Sequence, residues 1–278
     1  MAEIDVTRIA GNIGAMNALN SLNYINKQLA VHQTRLATGK RINSAADDPA
    51  GLTIATKMQS RSEGLKTALA NIADAKNLLA VAESGLGRIN DILVQMRNKV
   101  QAGGSDTMGA DERQAISDQV TAYLAQIDDL VSQTKWNGTT LIGGSSNLVF
   151  QTGADSGDSV TMTAIANLNS TGLSLSASSL DTSSSASFRT FMAAIETAMS
   201  KVNAELAKVG ALTGRLSFKE DQVAAAQINV EAAYNRIMNA NMAEEQVNAS
   251  KYQILQQTAT AMLAQANAAP QFLLSLFR

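Results

Sequence analysis

Only two prolines, Pro49 and Pro270, occur in this 278-residue chain, and more than 200 residues lie between them without another. Proline removes a helical hydrogen bond and clashes with the turn before it, so its absence leaves very long helices open to the chain. The spacing of apolar residues takes up that option. From the N-terminus they run Ile9, Ile13, Met16, Leu19, Leu22, Ile25, Leu29, His32 and Leu36, in steps of three or four, the period of one helix face. Thr38-Gly39 ends the run, since Gly readily takes the left-handed conformation that stops helices. Asp48 then reads as an N-cap with Pro49 in the first helical position, and Asp47 adds favourable charge there.

The second helix carries Ile54, Met58, Leu65, Leu69, Ile72, Ala75, Leu79, Ala82, Leu86, Ile89, Leu93, Met96 and Val100, largely a heptad pattern. From Pro49 to Gln101 it spans about 80 Å at 1.5 Å per residue, and Gly103-Gly104 ends it. A third helix places Ile116, Val120, Tyr123, Ile127 and Leu130 on one face and stops before Trp136-Asn137-Gly138. Thr139–Ile142 and Asn147–Gln151 flank Gly143-Gly144-Ser145-Ser146, which predicts a hairpin with a four-residue loop. Residues 153–187, rich in Ser, Thr, Gly and Asp, read as exposed, variable surface with a short strand at Ser159–Thr163.

Helical period returns from Phe188 through Phe191, Ile195, Met199, Val202, Leu206, Val209, Leu212, Leu216, Val223, Val230 and Tyr234 to Ile237. The final segment carries Val247, Ile254, Leu255, Met262 and Leu263 and closes on Phe272-Leu273-Leu274-Ser275-Leu276-Phe277-Arg278. Aromatics make up only 4% of the chain, too few for an ordinary globular core, where each buries roughly 150–250 Å². The expected fold is therefore mainly α: an elongated antiparallel helical rod or coiled coil formed by the N- and C-terminal arms, with a small β-hairpin insert.

Little here points to chemistry. A net charge of -2 gives no basic patch for nucleic acid. No run of 18 apolar residues predicts a membrane span, and Glu3 and Asp5 stand where a secretory signal would be basic. Zero Cys excludes disulfides and thiol catalysis. The sole His, His32, falls on the apolar stripe between Leu29 and Leu36 and reads as a packed seam residue. Gly85-Leu86-Gly87 opens like a dinucleotide fingerprint, but Asn90 replaces the third glycine inside a heptad run, so a closely packed helix position is the better reading. Asp155-Ser156-Gly157-Asp158 lacks the spacing of a calcium loop and reads as an acidic turn. No catalytic, metal or cofactor site is expected, and no enzyme activity.

Four stretches of the chain carry a resemblance. Arg35-Leu36-Ala37-Thr38-Gly39-Lys40-Arg41-Ile42-Asn43-Ser44-Ala45-Ala46-Asp47-Asp48-Pro49-Ala50-Gly51 resembles the N-terminal signature of bacterial flagellins. Asn71 to Leu86 and Trp136-Asn137-Gly138-Thr139 resemble further family segments. Gln256-Gln257, Met262-Leu263-Ala264-Gln265-Ala266-Asn267 and Pro270-Gln271 resemble the family's C-terminal ending. One departure is Asn239-Ala240-Asn241-Met242, where flagellins usually carry two aspartates; it puts local helix contacts in question.

The resemblance implies a short flagellin without the large outer domains. Residues 1–44 and 236–278 would be arms of a filament-core helical domain. Residues 45–152 and 188–235 would form the helical wall domain, and 153–187 a short variable surface segment. The implied function is self-assembly into the extracellular flagellar filament for swimming motility. Implied partners are other copies of the chain, a flagellar export apparatus, an export chaperone, the filament cap and hook-junction proteins, with no nucleic acid and no membrane. The expected subunit interface is Ile13, Leu22, Ile25, Leu29, Leu36, Ile254, Leu255, Met262, Leu263, Phe272, Leu273 and Leu276. Receptor-activating flagellins resemble L-Q-R-V-R-E-L where this chain has Leu93-Val94-Gln95-Met96-Arg97-Asn98-Lys99, so Gln95, Arg97 and Lys99 mark the expected receptor region. Two other readings stand beside this one: a hook–filament junction protein, and a secreted helical binding or adhesion module.

Overall fold

The computed structural model describes residues 12–144 and 147–276, with side chains as far as residue 268. Two compact units emerge, one of Met1–Ser60 with Val230–Arg278 and one of Arg61–Asn229.

In the first unit, α1 spans Ile13–Thr38 and ends at Gly39, whose φ of 69° is the left-handed stop its sequence predicts. The expected start at Ile9 lies outside the described residues. α2 spans Pro49–Gly103, and Asp48 caps it by accepting the Gly51 N–H at 2.8 Å. Asp47 has a further job in the turn before the helix. Its Oδ2 accepts the backbone N–H groups of Ser44 and Asn43 at 2.9 and 3.0 Å, which tightens the turn before the helix. Those two bonds hold its carboxyl below the ordinary aspartate value.

α5 (Ser185–Met238) and α6 (Met242–Leu276) meet the same turn. The last carbonyls of a helix lack partners within it. Arg41 supplies them here: its backbone N–H donates to Met238 O at 2.6 Å, and its guanidinium donates twice to Ile237 O at 3.2 and 3.0 Å. Ala240 N–H donates back to Gly39 O at 3.0 Å. Beneath this clasp Ile42 packs with Ala55 and Met238 in a small core flanked by Leu52, Tyr234 and Ile237. The Arg-Ile-Asn signature is thus a fastener between two helix junctions nearly 200 residues apart.

The second unit is built from α2, α3 (Ala110–Gln133) and α5. α2 and α5 run antiparallel, since Lys76 pairs with Glu220 at 2.8 Å, Arg97 with Glu196 at 2.9 Å, and Arg189 donates to Gly104 O at 3.2 Å. The α2 seam is buried from Leu65 to Val100, with Leu69 half-buried; Ile54, earlier in the same pattern, is exposed. α3 contributes Val120, Leu124, Ile127 and Val131. Gly85 sits where a Cβ would come within 2.8 Å of Thr134 Oγ1, so it is the closely packed position its context predicts.

The β structure differs from the expected hairpin. Thr139–Ile142 does not pair with Asn147–Gln151. Instead β1 (Lys135–Trp136) pairs with β2 (Thr139–Thr140) across a two-residue turn, with φ of 47° at Asn137 and 81° at Gly138. Two positive φ values suit a type I′ turn, which Asn-Gly favours. β3 (Leu148–Gln151) pairs antiparallel with β4 (Ser159–Met162), through the turn in which Asp158 N–H donates to Asp155 O at 3.0 Å.

The reading of 153–187 as exposed surface is also corrected. Met162, Ile165, Leu168, Leu173, Leu175 and Leu180 are all buried. The segment is pinned as well as packed: the one-turn helix α4 (Ser170–Leu173) gives both the N–H and Oγ of Ser170 to Asp128 of α3, at 2.7 and 2.8 Å. Its serines are exposed or half-buried, while its scattered leucines are buried.

Candidate assembly surface

Helices α1 and α6 lie antiparallel in the first unit, in a register fixed by polar pairs. Asn26 accepts from Gln256 Nε2 at 2.8 Å, and the His32 Nδ1–H donates to Glu245 Oε2. Arg35 adds a bond to the other Glu245 oxygen at 3.2 Å, and the rings of His32 and Tyr252 stack with centroids 5.3 Å apart. Glu245 is 7% exposed. Burial works against its ionisation, but the His32 hydrogen bond and the charges of Arg35 and His32 outweigh it and hold the carboxyl below the ordinary glutamate value. His32 sits on the seam as its stripe position predicts; its acidic partner, 213 residues away, leaves no local trace.

At the other end of the seam, Asn12 uses both halves of its amide. Its Oδ1 accepts the Ala15 N–H at 3.0 Å and caps α1, while its Nδ2 donates to Ala266 O at 2.9 Å. Ala266 lies four residues before Pro270, which has no N–H to offer that carbonyl. Asn12 therefore satisfies the acceptor that a proline inside α6 leaves open, and ties the start of α1 to that point.

The residues expected at the interface divide between two faces. Leu22, Ile25, Leu29, Leu36 and Leu263 are half-buried or buried. Ile13, Ile254, Leu255 and Met262 are exposed, joined by Met16, Leu19, Tyr24 and Val31 on α1 and by Met242 and Val247 on α6. Phe272, Leu273 and Leu276 fall on α6, but their side chains lie outside the described residues. Periodicity marks these helices as apolar without saying which stripe their own chain covers. Exposed apolar surface of this extent marks an interaction face. Gln95 and Lys99 face solvent on α2, whereas Arg97 is half-buried and engaged with Glu196.

Comparison with known proteins names the family. Residues 9–147 match the bacterial flagellin N-terminal helical region, and residues 192–277 match its C-terminal helical region. The chain belongs to the bacterial flagellin family. It is 32% identical to the flagellin of Bacillus subtilis (strain 168), covering 98% of this chain and all of that one. It is 31% identical to the flagellar filament 33 kDa core protein of Treponema phagedenis, over 96% of this chain and 98% of that one. A solved Vibrio parahaemolyticus structure described as hook-associated has a similar fold, with a TM-score of 0.60 at 16% identity over 69% of this chain and 100% of that one.

In this flagellin the Asn239-Ala240-Asn241 departure is accommodated locally. Asn241 O accepts the Glu245 N–H at 3.0 Å and opens the α6 ladder, and Glu244 and Glu245 put negative charge in the first turn. Asn239 Nδ2 bonds Asn235 Oδ1 at 3.3 Å.

Two substitutions test the seam. Asn12→Ala removes a cap and the only described partner of Ala266 O, and is expected to cost about 1–3 kcal/mol of α1–α6 docking. Asn12→Asp keeps the cap acceptor and loses the donor, so it should fall between the two in a denaturant titration of α-helix content. For Glu245 the folded value is depressed, so its contribution is complete above the ordinary glutamate range and is lost as pH falls through the folded value. Glu245→Gln should therefore weaken the seam at neutral pH and flatten its acid-side pH dependence, read by circular dichroism against pH. An unchanged acid profile would contradict the assignment.

Proposed function

We propose that this flagellin is a structural subunit that self-assembles into the extracellular flagellar filament and serves swimming motility. The observation that carries the reading is the second apolar face of α1 and α6. Their mutual seam already occupies Leu22, Ile25 and Leu29, yet Ile13, Met16, Ile254 and Met262 remain in water. A subunit that meets further copies along those helices gives the face a partner. In this reading 1–44 and 236–278 are the filament-core arms, and 45–152 and 188–235 the wall. The flagellar export apparatus, an export chaperone on the C-terminal segment, the filament cap and the hook-junction proteins are the further partners.

Electron microscopy of purified, polymerised protein tests the proposal. Helical filaments microns long are the expected result; stable monomers would favour the secreted binding module, and short junction-sized assemblies the hook–filament junction protein.

A second prediction concerns immune recognition. Relative to receptor-activating flagellins, Gln95 replaces an arginine and Lys99 a leucine on the solvent face of α2. Glutamine lacks the charge and planar donor fork of arginine, and burying an unpaired ammonium is costly. Depolymerised protein should activate the flagellin-sensing Toll-like receptor weakly in reporter cells, with a gain on combining Gln95→Arg and Lys99→Leu. Full potency in the unaltered chain would refute this.

A further inference from the structure

The chain has no cysteine, so all of its oxidisable sulfur is thioether, carried by 11 methionines. Met96, Met162 and Met238 are buried, and Met58, Met108, Met192 and Met199 are half-buried. Among the described residues only Met16, Met242 and Met262 are exposed, at 64%, 46% and 59%. All three belong to α1 and α6, and none to the second unit. Met1 lies outside the described residues.

The neighbours of these side chains are apolar and exposed as well. Met16 stands one helical turn from both Ile13 and Leu19, and Met262 follows Leu255 by two turns on one stripe of α6. Met242 is the first residue of α6. An unbranched, polarisable thioether moulds itself to an irregular partner, which suits a surface that other copies cover. The same sulfur makes that surface open to chemistry. Its lone pair attacks one oxygen of hydrogen peroxide; the O–O bond breaks as the S–O bond forms, and the leaving hydroxide takes the proton from the transferred oxygen and departs as water. The thioether is oxidised by two electrons to a sulfoxide and the peroxide is reduced. A sulfoxide on the free subunit stays hydrated, so the fold is undisturbed. Carried into a subunit contact, it brings a polar oxygen with no donor waiting for it, which is costly to bury.

We infer that Met16, Met242 and Met262 are oxidation sites of the free subunit, and that peroxide acting on these thioethers withdraws the subunit from assembly until the sulfoxides are reduced. The inference rests on the filament reading above and adds a chemical control to its surface.

The test treats full-length monomer with dilute hydrogen peroxide, stops the reaction with catalase, and maps added oxygen by peptide mass spectrometry. Met16, Met242 and Met262 should gain oxygen before the half-buried methionines, and Met96, Met162 and Met238 last. The critical concentration for polymerisation, read by sedimentation, should rise about 10- to 100-fold for each sulfoxide kept out of a contact. The thermal melt of the monomer should stay where it was. Methionine sulfoxide reductase with a dithiol, which removes the oxygen as water, should bring the critical concentration back. Filaments given the same peroxide should oxidise at the three positions more slowly than monomers. In the variant Met16→Leu, Met242→Leu, Met262→Leu, each chain is compared with its own untreated form, and the rise on oxidation should be lost although Met1 and the other methionines remain. An oxidised chain that polymerises at the untreated critical concentration, a triple variant as sensitive as the unaltered chain, or a melt that collapses on oxidation overturns the inference and leaves the filament reading intact. Untreated protein that never polymerises overturns both.

Discussion

A chain ending at Ala269 is expected to form no filaments at concentrations where the full chain polymerises, while its helical core melts as before. The removed segment, Pro270–Arg278, carries Phe272, Leu273, Leu274, Leu276 and Phe277. Each large apolar side chain taken out of water contributes about 1.5–3 kcal/mol. If assembly buries only two of the five, the association constant falls roughly 10²- to 10⁴-fold on their removal. Among the described residues, the buried clusters that hold the monomer lie elsewhere. Ile42, Ala55 and Met238 close the first unit near its helix junctions, and the second unit ends at Asn229. Removing the segment also removes the need for Asn12 to bridge Ala266 O, because a free C-terminal turn can be hydrated. Sedimentation and electron microscopy read the first half of the expectation, and calorimetry the second. Normal filaments from the shortened chain would contradict it; an early melt would place the segment in the monomer's core instead.

What could be read from the residues, and what could not, follows from the range of each interaction. Gly39 as a helix stop and Asp48-Pro49 as a helix start are local events, set by φ and by hydrogen bonds three residues apart, and both stand in the structure. The α2 seam repeats often enough that one exposed member, Ile54, does not obscure it. The first hairpin lies upstream of the expected one, although its signal is present in the sequence. Asn137-Gly138, just past the end of α3, is a strong two-residue turn, but the glycine-serine run downstream offers a competing loop of hairpin length. Residues 153–187 hide their core role for a different reason. Ile165, Leu168, Leu175 and Leu180 sit in irregular backbone, where burial has no period to detect. The partners of His32 and Arg41 are out of reach for a third: Glu245 and Ile237 are about 200 residues away, and no spacing rule connects them. Nor does a helical stripe disclose whether its own chain covers it: Leu29 and Ile254 hold equivalent apolar positions, yet one is buried and the other exposed.

The few aromatic side chains include the one whose removal is expected to have the largest stability effect of any single substitution. Six phenylalanines are few, but Phe188 is fully buried and Phe191 nearly so, at the start of α5. Phe188 fills the place where α2 ends and α3 passes. A Cβ on Gly103 would stand 2.5 Å from Phe188 Cδ1 and 3.3 Å from Ile116 Cδ1, so the ring lies directly on the glycine's backbone. Phe188→Ala removes the ring from a site whose walls are two helix termini and leaves a cavity; the expected cost is about 3–5 kcal/mol. Gly103→Ala pushes a methyl group into the same ring and should cost about 1–3 kcal/mol through overpacking. Because both changes act on one contact, they should not add. The double variant Gly103→Ala with Phe188→Ala is expected to be more stable than the sum of the single losses implies, since the new methyl group enters the space the ring vacated. Denaturant unfolding of the four chains measures this. Strict additivity would mean that Phe188 and Gly103 do not meet as described, and a loss below about 1 kcal/mol for Phe188→Ala would mean that the end of α2 closes without it.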